Sequence, residues 1–176
     1  RVYELISPHR GDIARGTLDI SLYRDDLDNL GTILSIKHSD LPFSVEGFSV
    51  FVHGRGLSTA WAEATVRVRV GESLQHTAAE SPFGPVSALD RAFRKAVLQF
   101  YPELSEVELT DYKVRILSGQ EAGTNSGVRV MVEMKRGEER FATVGASENI
   151  LEASLKALTD GYAYALLYPV ATPRGA

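Results

Sequence analysis

Hydrophobic and polar residues alternate along several stretches after residue 47, and this period of two predicts strands. Residues 48–52 place Phe and Val at every second position, and residues 65–70 place three valines on one face and Thr or Arg on the other. Gly71-Glu72 predicts a hairpin turn into a third strand over residues 74–79. One face of this sheet is therefore expected to be buried and the other exposed to solvent.

A helix is predicted next, because apolar residues from Val86 to Phe100 recur at helical spacing. Tyr101-Pro102 ends it, since proline disfavours helical geometry in the residue before it. The first unit is therefore β-β-β-α.

The second half of the chain repeats the scheme. Residues 107–117 and 128–132 read as strands, residues 135–140 as a charged hairpin turn, and residues 141–145 as the returning strand. The last helix has one apolar face, formed by Leu151, Leu155, Leu158, Tyr162, Ala165 and Leu166.

Local matches indicate an internal duplication. Val66-Arg67-Val68 matches Val128-Arg129-Val130 at an offset of 62, and Thr77 matches Thr143 at 66. Ala88 and Ala92 match Ala153 and Ala157 at 65, and we attribute the changes of offset to turns. One copy cannot bury both of its apolar faces, so the fold expected is α+β, with duplicated β-β-β-α units packed around a pseudo-twofold axis.

The predicted domain covers residues 48–168, with repeats at 48–102 and 107–168. Residues 1–47 follow neither pattern and are interpreted as an appendage or connector, with a strand over 17–23 and a short helix over 25–37. Residues 169–176 form a tail. Because the chain begins at Arg1 and not Met, we expect a segment upstream of it.

Composition and charge argue against several classes of function. A net charge of -4 argues against a nucleic-acid partner, and the apolar runs are too short for a membrane span. Zero cysteines exclude disulfides and thiolate metal sites, and with no signal peptide visible the cytoplasm is the expected compartment. The four histidines lack metal-ligand spacing, so we expect no metal and no cofactor.

The two helix starts are the first candidate site. A helix N-terminus has unpaired backbone N–H groups and attracts carboxylates or phosphates. Residues 81–90 (SPFGPVSALD) and 146–154 (ASENILEAS) both lead into a helix, and their small residues allow a ligand close to the backbone. The alternative is that Gly84-Pro85 simply begins a helix, because proline is favoured in the first turn.

A second candidate lies at Asp111-Tyr112. Val107 and Leu109 share one phase of alternation, whereas Tyr112 and the apolar residues after it share the other, so a bulge is predicted near Thr110-Asp111. Asp111 is then placed to contact an ammonium group beside a Tyr112 wall, although a structural bulge with a solvated aspartate is the alternative.

Catalysis has no positive support. Nucleophile-elbow, Walker and dinucleotide-binding motifs are absent from the sequence, and Glu80 and Glu148 near the helix starts have no nucleophile or orienting partner.

Several motifs resemble the C-terminal allosteric domain of the 2-isopropylmalate synthase and citramalate synthase family. They occur in the family's order over roughly residues 46–168: T-A-A-E from Thr77, G-P-V-S-A-L-D-R-A from Gly84, Y-P-E-L from Tyr101, D-Y-K-V-R-I-L from Asp111 and T-V-G-A-S-E-N-I from Thr143. The last motif is closer to the citramalate synthase branch. The S-P-F-G-P loop is one residue longer than the family's usual turn, and the family's metal-dependent catalytic barrel is absent from the chain.

The resemblance implies a regulatory domain that dimerises and binds a branched-chain amino acid, isoleucine foremost and leucine next. The synthase it would control is an acyltransferase, whose barrel lies in the same chain or in a partner. The expected effector-binding residues are Ala79, Glu80, Ser81, Gly84, Pro85, Ala88, Asp111, Tyr112, Gly145, Ser147 and Asn149. Helix N–H groups would hold the carboxylate, and Asp111 or Glu80 the ammonium. The chain is then a synthase fragment or a stand-alone amino-acid sensor, and the alternatives are a dimerisation module without a pocket or a small enzyme.

Overall fold

The computed structural model describes residues 33–34, 41–55, 59–116 and 127–168. The elements in these ranges run in the order β1 to β4, α1, a short 3-10 helix, β5 to β7 and α2. Their bounds are β1 Ile33–Leu34, β2 Ser44–Arg55, β3 Thr59–Val70, β4 Ser73–Ser81, α1 Pro85–Val97, 3-10 helix Pro102–Glu106, β5 Val107–Ile116, β6 Val128–Arg136, β7 Glu139–Ser147 and α2 Ile150–Leu167.

Two sheets and two helices share one core. The first sheet has the antiparallel order β2-β3-β4, and the second has the order β1-β7-β6-β5, in which only β1 is parallel to its neighbour. Helix α1 packs on β3 and β4, α2 packs on β6 and β7, and Phe93 of α1 stacks on Tyr162 of α2 with ring centroids 5.4 Å apart. This is the predicted α+β fold with duplicated β-β-β-α units.

The hairpin turns give the structural register of the two repeats. Gly71 and Gly137 both have positive φ, 56° and 58°, and both follow a strand whose partner returns after a two-residue turn. Across that hairpin Val66 pairs with Thr77 and Val132 pairs with Thr143. The repeats therefore match at an offset of 66 through both strands and the turn, and the predicted match of Val66 with Val128 at 62 is wrong.

A hydrogen bond occurs in the same form in both repeats. Thr77 Oγ1 donates to the carbonyl of Ala92 over 2.6 Å, and Thr143 Oγ1 donates to the carbonyl of Ala157 over 2.6 Å. Each joins the last strand of a repeat to the middle of its helix. The matching carbonyls are 65 residues apart, so the offset changes by one where the chain passes from strand to helix, as the sequence matches of the alanines predicted.

The predicted bulge in β5 is confirmed. Leu109 pairs with Met134 and Asp111 with Glu133, so Thr110 is the extra residue. Strand β2 has the same irregularity, because the register with β3 shifts between Val45 and Gly47. Since Phe48 pairs with Val66 as Tyr112 pairs with Val132, the first strands match at an offset of 64 and their bulges coincide.

Several boundaries differ from the sequence prediction. The helix predicted over residues 25–37 is wrong at Ile33–Leu34, which pair as a parallel strand with β7; its other residues, the predicted strand 17–23 and the tail 169–176 lie outside the described residues. Strand β2 begins at Ser44, before the predicted boundary, and α1 ends at Val97, before Phe100.

Burial follows the predicted alternation in β3 but not in β6. Val66, Val68 and Val70 are buried in β3. In β6, Arg129 and Met131 are buried together with the valines of the opposite face. A strand at the centre of a sheet and buried on both faces shows no amphipathic signal that sequence alone can separate.

Candidate functional site

Gly84 and Pro85 determine the backbone conformation at the start of α1. Gly84 is the N-cap residue with φ 102° and ψ -177°, a conformation that favours glycine, and Pro85 takes the first helical position. Among the described residues no side chain caps this helix. Val86 and Ser87 follow the proline, and no partner for their N–H groups is found among the described residues.

The S-P-F loop before Gly84 is fixed by Ser81. This side chain is 1% exposed, its hydroxyl donates to Ser87 Oγ over 2.9 Å, and it accepts from the Phe83 N–H over 3.1 Å. The buried Ser81 hydroxyl therefore fixes the loop conformation.

Two apolar residues near this start are exposed. Across the sheet Val52 pairs with Ala62 and Ala62 with Ser81, so the end of the β2–β3 hairpin lies beside the α1 start. Val52 is 61% exposed and Phe83 is 80% exposed. Open amides beside exposed apolar groups are what an amino acid with a carboxylate and an apolar side chain requires.

The start of α2 is different. Asn149 is its N-cap, and its Oδ1 accepts from the N–H groups of Leu151 over 2.8 Å and Glu152 over 3.4 Å. The prediction of unpaired amides is therefore wrong at α2, because the N-cap asparagine satisfies them. Ser147 repeats the role of Ser81, accepting from the Asn149 N–H over 3.1 Å and donating to the Glu152 carboxylate over 2.8 Å.

Three of the small candidate residues pack against other parts of the fold. Ala79 packs against the core beside α1, and Ala88 is fully buried. A Cβ on Gly145 would lie 2.0 Å from the carbonyl oxygen of Ala153, so this glycine lets α2 approach β7.

The acidic candidates do not lie beside the α1 start. Glu80 is exposed on the face of β4 that points away from α1, opposite Glu63 of β3. Asp111 lies on β5 in the other sheet, 3.0 Å from Lys113 Nζ, and also accepts from the Tyr112 N–H over 2.8 Å. The lysine first, and then this N–H, hold the pKa of Asp111 below its usual value.

Tyr112 joins the bulged strand to α2. Its hydroxyl lies 2.8 Å from Ser154 Oγ, and Ser154 donates to the carbonyl of Ile150 over 2.6 Å. Tyr112 is thus near the α2 start, together with Ser147 and Asn149. In the described part of the chain no hydrogen bond or ion pair links this group to the α1 start group of Ser81, Gly84 and Pro85.

Comparison with known proteins decides the family. Residues 21–166 match the LeuA allosteric (dimerisation) domain, a match that covers most of the chain and begins within the segment predicted as an appendage. The chain belongs to the LeuA allosteric domain family.

The relatives of this LeuA-type domain are synthases. It is 52% identical over 126 residues to the (R)-citramalate synthase of Geobacter sulfurreducens, covering 70% of this chain and 23% of that protein. The (R)-citramalate synthase of Aquifex aeolicus is 46% identical over 126 residues, 71% of this chain and 24% of that protein. The 2-isopropylmalate synthase of Methanocaldococcus jannaschii is 27% identical over 126 residues, 72% of this chain and 22% of that protein. The chain spans about a quarter of the length of these relatives.

The LeuA-type domain also contains a cleft that sequence reasoning missed. It has a volume of about 540 Å³ and lies between the bulged start of β2 and one side of α2. None of the predicted effector-binding residues lines it. The described residues that line it are Leu41, Phe43, Ser44, Val45, Glu46, Gly47, Phe48, Glu152, Leu155, Lys156 and Thr159.

A buried polar network between the helices was missed as well. The Tyr162 hydroxyl donates to Asp90 Oδ1 over 2.5 Å and accepts from Arg94 Nη1 over 3.2 Å. Burial raises the pKa of Asp90 and of Tyr162. The sequence signal was an aspartate and an arginine on the predicted α1, spaced at i and i+4.

The residues that the structure describes have neither a metal-binding cluster nor a membrane-spanning helix. These residues contain no cluster of His, Cys, Asp or Glu that could hold a metal ion. Their helices include none that is long and apolar enough to cross a bilayer.

Proposed function

We propose that this domain binds a branched-chain amino acid and thereby controls an acyl-CoA condensing synthase by feedback, in the cytoplasm. Family membership supports a regulatory role, and the relatives at 44–52% identity are (R)-citramalate synthases. For that reason isoleucine is the first effector proposed and leucine the second. The catalytic barrel belongs to the same chain or to a partner.

The main observation in support of this proposal is that no described side chain caps the start of α1. The N–H groups of Val86 and Ser87 would hold the effector carboxylate, because the helix start carries a partial positive charge. Exposed Val52 and Phe83 would cover its branched side chain. Gly84 permits the φ of 102° at this start, an angle at which a residue with a Cβ would be strained.

The ammonium group requires an acceptor from elsewhere. Glu80 points away from α1, and Asp111 lies in the other sheet. The proposal therefore includes a homodimer in which a carboxylate of the second copy completes the site. Control of the synthase would follow from tighter binding of the effector to the less active state, because binding both states equally shifts nothing.

Isothermal titration calorimetry on the chain tests the proposal. Isoleucine should give saturable heat, and leucine should bind more weakly. Phe83→Ala should weaken isoleucine binding about tenfold, which corresponds to the loss of part of an apolar contact. Leu74→Ala is the control, because Leu74 is 47% exposed on the outer face of β4. Absence of heat with both amino acids at millimolar concentration would contradict the proposal.

A dimerisation module without an effector pocket is the second candidate. Two observations favour it: Asn149 satisfies the amides of α2, and β5 exposes Leu109, Val114 and Ile116 by 39%, 38% and 68%. Exposed apolar residues on an edge strand favour association with another chain. This candidate predicts a dimer by light scattering whose mass and thermal midpoint do not respond to isoleucine.

A further inference from the structure

The second half of β2 is an edge strand that lacks the usual features that prevent pairing with another chain. Among the described strands β2 pairs only with β3, so its other side has backbone N–H and C=O groups without a strand partner there. Charged residues, proline and bulges commonly keep such an edge from pairing. Residues 48–54 (FSVFVHG) contain no Lys, Arg, Asp, Glu or Pro, and the bulge of β2 lies before them, between Val45 and Gly47.

Apolar side chains are exposed on both faces of this edge. Val52, which is 61% exposed, lies on the helix side of the sheet, because it pairs with the buried Ala62. Phe51, which is 58% exposed, lies on the outer face. On that same face His53 stacks on Trp61 with ring centroids 4.1 Å apart. An exposed edge strand with apolar residues on both faces favours association with another chain.

The outer strands β5 and β4 are less suited to pairing. Strand β5 ends the second sheet and exposes apolar residues too, but it has the Thr110 bulge. It also has an ion pair between Asp111 and Lys113 at 3.0 Å, and a bulge and charges both disfavour pairing with a further strand. Strand β4 has one large apolar residue that is exposed, Leu74. We therefore regard β2 as the edge best suited to another chain.

A second copy of this chain fits the β2 edge. The family to which the chain belongs is a dimerisation domain. Phe51 is the midpoint of residues 47–55, the part of β2 between the bulge and the end of the strand. Antiparallel pairing of two β2 strands about a twofold axis at Phe51 would therefore use this whole stretch. Val50 would lie opposite Val52 of the second copy, and Phe51 opposite its own counterpart, so apolar residues would meet on both faces.

We propose that two copies of this chain associate through β2, antiparallel and centred on Phe51, so that the first sheets of both copies form one continuous sheet. This inference rests on the homodimer of the proposed function and names the surface that forms it. Val52 is at the end of the β2–β3 hairpin that lies beside the α1 start. The second copy would therefore lie next to the proposed effector site.

A single cysteine at position 51 tests the pairing, because the chain has no cysteine of its own. Opposite Cα atoms of antiparallel strands are about 4.5–5.5 Å apart, and a disulfide bridges about 4.4–6.8 Å. Phe51→Cys should therefore give a disulfide-linked dimer under mild oxidation. Ser49→Cys is the control on the same face, because its counterpart would lie about 13 Å away, four residues along the strand. Equal cross-linking of the two variants, or none at position 51, would overturn the proposal.

Analytical ultracentrifugation of the chain gives the second test. The parent should be a dimer, and Phe51→Lys should raise the dissociation constant of that dimer at least about tenfold, because two like charges would face each other at the axis. Ile116→Lys on β5 and Leu74→Lys on β4 are the controls, since both positions are exposed and belong to the other outer strands. Both controls should dimerise like the parent.

The outcomes separate the surface from the effector site. A folded Phe51→Lys protein that dimerises like the parent, or a dimer lost only in Ile116→Lys, would contradict the assignment to β2. A monomeric parent would contradict the homodimer as well. Neither measurement contains isoleucine, so a failure of this surface and a failure of isoleucine binding are seen in different experiments.

Discussion

At the scale of single residues, glycine meets two different physical needs in this domain. Gly84 has nothing within 4 Å of a Cβ placed on it, and its need is the backbone angle of 102°. Gly145 has ordinary angles, and its need is space, because the carbonyl of Ala153 lies 2.0 Å from the position of a Cβ. Substitution of Gly84 would therefore strain the backbone, whereas substitution of Gly145 would cause a steric clash with α2.

Gly145→Ala should lower the free energy of unfolding by about 2–4 kcal/mol, because backbone atoms of α2 must move away from β7. Urea denaturation measures this change. Ala79 is the internal comparison, since it takes the equivalent position in the first repeat and already has a Cβ; Ala79→Gly should cost no more than about 1 kcal/mol. A Gly145→Ala protein within 0.5 kcal/mol of the parent, about the scatter of surface substitutions, would show that the contact is not tight.

Asp160 on α2 should make stability depend on pH. Burial raises its pKa to about 7, and the described residues offer it no ion pair or hydrogen bond. The folded carboxyl keeps its proton up to about pH 7, whereas the unfolded one loses it near 3.8, so stability falls as pH rises between these values. Asp160→Asn should therefore gain about 1–3 kcal/mol over the parent at pH 8 and almost nothing at pH 4, measured by urea denaturation at both. An equal difference at the two pH values would contradict this.

At the scale of elements, the domain consists of two copies of one unit with matching details. Both first strands bulge at corresponding residues, both hairpins turn at a glycine, and both last strands send a threonine hydroxyl to the helix. Small differences then give each copy its own role. The first copy keeps an open helix start, and the second caps its helix with Asn149.

The two threonines allow a matched comparison. Thr77→Val and Thr143→Val each remove one hydroxyl that donates to a helix carbonyl and keep the side-chain volume. Each should cost about 0.5–1.5 kcal/mol, and Thr143 should cost more because it is fully buried whereas Thr77 is partly exposed. Thermal denaturation of both variants checks the order, and a larger loss for Thr77→Val would contradict it.

The elements themselves could be predicted from the sequence, but their register could not. Val66-Arg67-Val68 is identical to Val128-Arg129-Val130, but alternating apolar residues match at every even offset, so this identity does not fix the register. Only the turn glycines and the paired threonines identify 66 as the offset between the two repeats. The bulge at Thr110 was predictable because it changes the phase of apolar residues, whereas the bulge at Glu46 lies outside the stretch in which alternation was recognised.

At the scale of the whole molecule, the two repeats are joined by the network of Asp90, Arg94 and Tyr162. Arg94 of α1 donates a hydrogen bond to the carbonyl of Val107 at the start of the second repeat. Tyr162 of α2 hydrogen bonds to both Asp90 and Arg94. A network of this kind fixes how the helices sit on each other, because a buried carboxylate without its partner is costly.

Tyr162→Phe should therefore destabilise the fold by about 1–3 kcal/mol, with a larger loss at pH 8 than at pH 4. The sign follows from Asp90: burial already raises its pKa, the Tyr162 hydrogen bond lowers it, and removing that bond raises it further. A protonated Asp90 tolerates burial, so the loss shrinks in acid. Tyr164→Phe, which removes a hydroxyl bonded to Glu139 within one repeat, is the control for denaturation at both pH values. A loss independent of pH would argue against Asp90 as the cause.

The candidate site was predictable only in part. The α1 start followed from Gly84-Pro85, because these residue types have strong backbone preferences. Glu80 was expected near a ligand from its position in the chain, but the strand alternation turns its side chain to the far face. The cleft is lined by residues of β2 and α2, more than a hundred positions apart, and no local pattern relates them.

An isoleucine titration followed by the amide resonances of the two helix starts tests whether the α1 start is the effector site. Saturable shifts are expected at Val86 and Ser87, with little change at Leu151 and Glu152, whose N–H groups are bonded to Asn149. Shifts confined to the α2 start, or none at the α1 start under saturating isoleucine, would contradict this assignment.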